Sequence, residues 1–250
     1  MDDRPAYDRR RDDVGNVLAL EHVNVTVPDQ STATLFYVNT LGFTRDPYMD
    51  FGPRNVGVNV GQQQFHLPTG QPQVLRGRVG VVLPDLEDLT RRLQRMTKPL
   101  AGTRFAWQAA AEHIDVTCPW GNAIRCHGPG DGFGDMRLGI PYVELDVPAG
   151  TAAGICRFYN DVLGAPASLA TRHGRPATEV RIGTRQRLWY VESVQAVPAY
   201  DGHHIAIYVV DFSGPHRRLL DRSLVTEESD AHQYRFARLI DPLDGAELFQ

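Results

Sequence analysis

Residues 20–43 read LEHVNVTVPDQSTATLFYVNTLGF, and residues 140–165 read IPYVELDVPAGTAAGICRFYNDVLGA. Val23 and Val143, Val27 and Val147, and Pro28 and Pro148 align at an offset of 120 (143 − 23). Phe36-Tyr37 and Phe158-Tyr159, and Leu41-Gly42 and Leu163-Gly164, align at 122 (158 − 36). A self-match of this length and order means that one structural unit occurs twice.

Each copy opens as a strand. Ala19–Val27 alternates apolar and polar residues, the period of a half-buried strand. Pro28-Asp29 ends it, and Asp29 or Ser31 can cap a helix over 31–40. That helix puts Ala33, Phe36 and Tyr37 on one face, and Gly42 closes it. Short strands follow near 56–60 and 63–67, with Gly61 in the turn between them.

Working outward, GRVGVVLPDLEDLTRRL (77–93) restarts the same program of strand, Pro-Asp and helix. His113–Thr117 and Asn122–His127 form a hairpin around Pro119 to Asn122. In the second half HHIAIYVVDFSGPHRRLL (203–220) matches 77–93 at an offset of 126 (211 − 85). The ending RLIDPLDGAELFQ matches the hairpin segment TCPWGNAIRC. The chain therefore reads as four strand-helix-strand modules, at about 17–68, 77–128, 138–193 and 200–250. The expected organisation is a flexible tail (1–16), a first domain (17–128), a linker (129–137) and a second domain (138–250). The fold class is α+β.

Composition is that of a globular protein, 42% hydrophobic and 22% charged over 250 residues. The net charge of −4 argues against a nucleic-acid surface, which needs a basic excess. No apolar run reaches the roughly 18 residues of a membrane span. The N-terminus, MDDRPAYDRRRDDVGN, lacks the apolar core of a signal peptide. Cys118, Cys126 and Cys156 have no disulfide-like or zinc-like spacing, and reduced thiols in a cytoplasm are expected. A small-molecule partner is expected, and a homodimer is left open.

The modules resemble the vicinal oxygen chelate superfamily, which includes glyoxalase I, extradiol dioxygenases and bleomycin or fosfomycin resistance proteins. The marks are LEHVNVTV-PD, the helix with FY and then LG, HIAIYVVDF, and DP-DG before a final strand. The resemblance implies four βαβββ modules in two tandem domains, whose curved sheets pair into cups. It also implies a divalent metal in a cup, Fe(II) foremost and otherwise Mn, Ni, Co or Zn.

In the first half the resemblance places the metal positions at His22, His66, Arg78 and Arg125. In the second half they fall at Tyr142, at Tyr190 or Glu192, at His204 and within Glu247–Gln250. An arginine cannot lose its proton to become a ligand. The metal-competent positions thus lie in modules one and four: His22, His66, His204 and an oxygen donor, Glu247 or Gln250. Some family members pair module one with four and two with three. That pairing would collect the histidines in one cup and leave a metal-free cup holding Arg78, Arg125, Tyr142 and Glu144. Arg78 and Arg125 are candidate substrate-binding residues. Glu144 and Tyr142 are candidate catalytic groups, although a carboxylate partner for one of the arginines is an equal reading of Glu144.

The resemblance implies either a metal-dependent dioxygenase or glyoxalase-like lyase acting on vicinal oxygen atoms, or a metal-free sequestration protein of the bleomycin-resistance type. Against ring cleavage, Tyr142 replaces the first ligand of the second half. Against a glyoxalase, His66 stands where that enzyme carries a glutamate.

Overall fold

The structure is a computed structural model that describes residues 13–50 and 54–250. The strand β1 (Val17–Asn24) is followed by helix α1 (Gln30–Ala33), capped by Asp29, whose carboxylate accepts from the Thr32 N–H at 2.7 Å. The helix continues with π-type hydrogen bonding over Thr34–Thr40, and the second copy does the same over Phe158–Leu163 after α3 (Ala152–Arg157). Both π segments begin at or just before the repeated Phe-Tyr pair, and in both both rings are buried. Strands β2 (Thr44–Asp50), β3 (Asn55–Val60) and β4 (Gln63–Pro68) complete module one.

Module two contains β5 (Gly77–Val82), α2 (Leu86–Met96), β6 (Ala106–Ala109), β7 (His113–Thr117) and β8 (Ala123–His127). Module three contains β9 (Gly139–Pro148), α3, β10 (Ala167–Arg172), β11 (Arg175–Ile182) and β12 (Gln186–Ser193). Module four contains β13 (His204–Val209), α4 (Ser213–Leu220), β14 (Val225–Asp230), β15 (Gln233–Phe236), β16 (Leu239–Ile240) and β17 (Glu247–Phe249). The chain is thus built of α+β modules in tandem.

The two large sheets each draw on both halves of the chain. The five-stranded sheet runs β13-β1-β4-β3-β2, and the eight-stranded sheet runs β10-β11-β12-β9-β5-β8-β7-β6. Module one joins module four through antiparallel β1 and β13, and module two joins module three through antiparallel β5 and β9. In modules one to three the first and last strands pair in parallel. Module four departs from that rule, because β17 pairs with β16 and not with β13. Burial explains the departure. The Phe249 ring packs 6.2 Å from Tyr190, the Arg76 guanidinium lies 4.1 Å over it, and Arg157 holds Asp241 at 2.5–3.0 Å. The final hairpin is therefore fastened to module three.

One continuous core lies under both sheets, led by Phe36, Tyr37, Phe65 and Phe158. Two buried glutamines stitch the sheets together. Gln63 accepts from the Ile140 N–H and Gln186 accepts from the Leu20 N–H, both at 3.0 Å. Of the expected tail, residues 1–12 lie outside the described residues. Asn16 is fixed, with its amide on Leu163 O at 2.9 Å. The three cysteines are free thiols. Among the described residues no helix is long and apolar enough to cross a membrane.

Candidate metal centre

Strand pairing brings the histidines of modules one and four onto one sheet face. Asn24 lies opposite His66 on β4 and opposite His204 on β13, so the three form one row across the sheet. His22 occupies the next row, between Gln64 and Ala206. Alternation along β4 sends Phe65 and Leu67 into the core and leaves Gln64 and His66 on the opposite face. The His22 and His66 rings stack with centroids 3.8 Å apart, and His204 meets His22 edge-on at 5.7 Å.

A fourth group joins them. The pairing of β1 with β13 slips between Leu20 and His22, and Glu21 is the extra residue of this bulge. Its carboxylate contacts His22 Nδ1, and ligand atoms of Glu21, His22 and His66 all lie within 4.8 Å of one another. The expected oxygen donors are placed elsewhere. Glu247 sits on β17, 3.6 Å from Arg238, and Gln250 follows it outside the histidine-bearing sheet.

The electrostatics suit cation ligation. Burial pushes His66 down to about 4, with the neighbouring His22 adding to the effect. Burial likewise pushes His204 down to about 4, helped by Arg235 and His22. Both imidazoles are therefore neutral near pH 7 and keep a lone pair for a metal. The His22 hydrogen bond holds Glu21 below the usual carboxylate range. His66 Nε2 lies 2.8 Å from Gln64 Oε1, and the Gln64 amide donates to Asp46 and Asn59, each at 2.7 Å. This chain fixes the ring and leaves Nδ1 free, the usual outer support of a ligating histidine.

The eight-stranded sheet carries the other sequence candidates. Glu144, 1% exposed, accepts from Arg172 Nε at 2.6 Å and pairs with His173 at 3.0 Å and Arg78 at 3.2 Å. Arg125 grips Asp115 through two bonds of 2.7 and 2.9 Å. The Tyr142 hydroxyl lies 2.9 Å from His127 Nε2, and burial raises its pKa to about 12.

No protein-family model matches the chain, and no curated protein matches it. Solved structures do. A point variant of glyoxalase I from Zea mays superposes with a TM-score of 0.61 at 13% identity, covering 91% of this chain and 90% of that one. Glyoxalase I from Zea mays itself gives 0.59 at 12% identity, with the same coverage. A dioxygenase candidate from Bacillus subtilis subsp. subtilis str. 168 gives 0.51 at 14% identity, covering 84% of this chain and 76% of that one. The chain has the vicinal oxygen chelate fold.

Within this fold the two sheets can be compared position by position. His22 corresponds to Tyr142, and Asn24 to Glu144, at an offset of 120 (142 − 22). Asn24 pairs with His66, and Glu144 pairs with Trp189. The counterpart of His66 is thus Trp189, not the expected Tyr190 or Glu192. Tyr190 faces the helices, buried and hydrogen-bonded to Tyr159.

Proposed function

We propose that this chain is a metal-dependent enzyme of vicinal oxygen chelate type, acting on a small molecule with two neighbouring oxygen atoms. Its metal ligands are His22, His66, His204 and Glu21. The observation that carries this reading is the convergence of histidines from β1, β4 and β13 on one sheet face, beside a carboxylate brought in by a bulge. Imidazoles with one carboxylate suit Fe(II), Zn(II), Ni(II), Co(II) or Mn(II). A metal held there would act as a Lewis acid on the substrate's oxygen pair, or with iron would bring substrate and O2 together.

The chain's own residues prepare this site. Burial keeps His66 and His204 unprotonated, and the Gln64–Asp46–Asn59 network sets the plane of His66. Tyr142 and Glu144 belong to the other sheet and are held by His127 and by Arg78, Arg172 and His173, so neither is assigned a proton-transfer role at the histidines.

Elemental analysis of protein purified without chelator or affinity metal is the direct test. Near-stoichiometric metal in the parent, lost in both His22→Ala and His204→Ala, is expected. Metal absent from the parent even after reconstitution with Fe(II), Mn(II), Ni(II) and Zn(II) would overturn the proposal and leave metal-free binding as the remaining reading.

A further inference from the structure

The open face of the eight-stranded sheet has more cations than its carboxylates can balance. Arg78, Arg125 and Arg172 face Glu144 and Asp115, an excess of one guanidinium over carboxylates (3 − 2), while Arg187 and Arg175 on the same face are matched by Glu179 and Asp146. The pairing also leaves donors free. A guanidinium has five N–H donors. Arg78 approaches Glu144 through Nε at 3.2 Å, and Arg172 likewise reaches Glu144 through Nε. All three arginine side chains are between 18% and 29% exposed, so solvent reaches them.

The groups around them report the resulting field. Burial should raise the Glu144 carboxyl, yet Arg172, Arg78 and His173 hold it below its ordinary value. Burial pushes His127 down to about 4, and His113, Arg125 and Arg172 push the same way. The face is thus hostile to added cations and favourable to an added anion. Arg172 is also fixed in place, with its guanidinium 4.4 Å over the Trp189 ring and 4.8 Å over Tyr142. It sits at the end of β10, where the turn to β11 carries His173 at φ +54°, a strained backbone for a residue other than glycine. That turn folds Arg172 and His173 over Glu144.

We propose that this face binds a small organic anion, a carboxylate or a phosphate monoester beside a planar group, using the free N–H donors of Arg78, Arg125 and Arg172 with Trp189 as a stacking wall. Planar guanidinium groups suit oxyanions, and Trp189 supplies an apolar surface next to them. The proposal does not rest on a metal at the histidine cluster.

Isothermal titration of chelator-treated protein tests it, with phenyl phosphate, benzoate and inorganic phosphate as probes and benzyl alcohol as the neutral reference. One-to-one binding of phenyl phosphate or benzoate is expected, with no heat from benzyl alcohol. Affinity should fall about tenfold in Arg172→Gln and in Arg78→Gln, and stay unchanged in Arg217→Gln on α4 and in His22→Ala. Arg78→Gln leaves Arg172 and His173 on Glu144, so it reports binding even if Arg172→Gln unfolds. Stronger binding of inorganic phosphate than of phenyl phosphate would overturn the role of Trp189. No binding of any anion, or equal affinity in Arg78→Gln, would overturn the site.

Discussion

Glu21 and His22 are chain neighbours, and in a regular strand they would face opposite sides. The bulge in β1 defeats that alternation, and it is the reason Glu21 was not legible as a candidate ligand while His22 was. The three histidines were legible because each sits at a fixed place in a repeated pattern. The bulge depends on how β13 pairs with β1, and nothing in the local sequence records that. If Glu21 ligates, Glu21→Ala should weaken metal binding at least tenfold, whereas Glu247→Ala, altering a residue paired with Arg238, should not. Equal metal content in the two variants, by elemental analysis after dialysis against a weak chelator, would return the oxygen donor to the last strand. His127 offers a separate test of the other sheet. Its folded pKa of about 4 lies below the ordinary 6.5. The unfolded chain therefore takes up a proton below pH 6.5 that the folded chain refuses until about pH 4. The associated stability is complete above pH 6.5 and falls as pH drops through that window, by at most about 1.4 kcal/mol per pH unit. His127→Gln keeps an acceptor for Tyr142 but cannot titrate. Urea unfolding between pH 7 and 5 should show a shallower loss in the variant, and identical slopes would refute the assignment.

At the scale of elements, three of the missed strands sit at sheet edges, although β13, legible as HIAIYV, is an edge strand too. β2, β6 and β10 end their sheets. An edge strand needs no two-sided apolar burial, so TRDPYMD and the largely exposed ASLATR carry no alternating signal. The hairpin β14–β15, built from VTEESD and QYRF, is missed for the same reason and lies outside both large sheets. The repeated helix is legible through its Phe-Tyr pair, but its π-type geometry is not. In module three that geometry seats Tyr159 against β12, where its hydroxyl meets the Tyr190 hydroxyl in a buried contact. Tyr190→Phe leaves the Tyr159 hydroxyl buried without that partner, which should cost about 1–3 kcal/mol in urea unfolding. Tyr159→Phe together with Tyr190→Phe should cost less than the sum of the single variants, because the second change removes an unsatisfied group. Strict additivity would mean that the hydroxyl pair contributes nothing jointly.

At the scale of the molecule, the repeat has a second expression that no alignment displays. Gln63 and Gln186 are counterparts at an offset of 123 (186 − 63), and their targets Ile140 and Leu20 are counterparts at 120 (140 − 20). Module one therefore clasps β9 through Gln63 while module three clasps β1 through Gln186. Gln186 also donates to Ile140 O at 2.8 Å, so a single side chain bonds both strands. With sheets that cross the halves, reciprocal clasps and one continuous core, neither half of the chain owns a sheet it can complete alone. The expected consequence is a single cooperative unfolding transition. The tryptophans make this measurable, because Trp107 on β6, Trp189 on β12 and Trp120 in the β7–β8 turn all belong to the eight-stranded sheet. Fluorescence therefore follows that sheet, while far-ultraviolet circular dichroism follows the whole chain. The two urea transitions should coincide. Gln186→Leu, which strands the buried Leu20 N–H, should lower both midpoints together, by about 1–3 kcal/mol of stability. A dichroism transition that splits, with fluorescence tracking only one step, would show that the two sheets unfold as separate units despite their clasps.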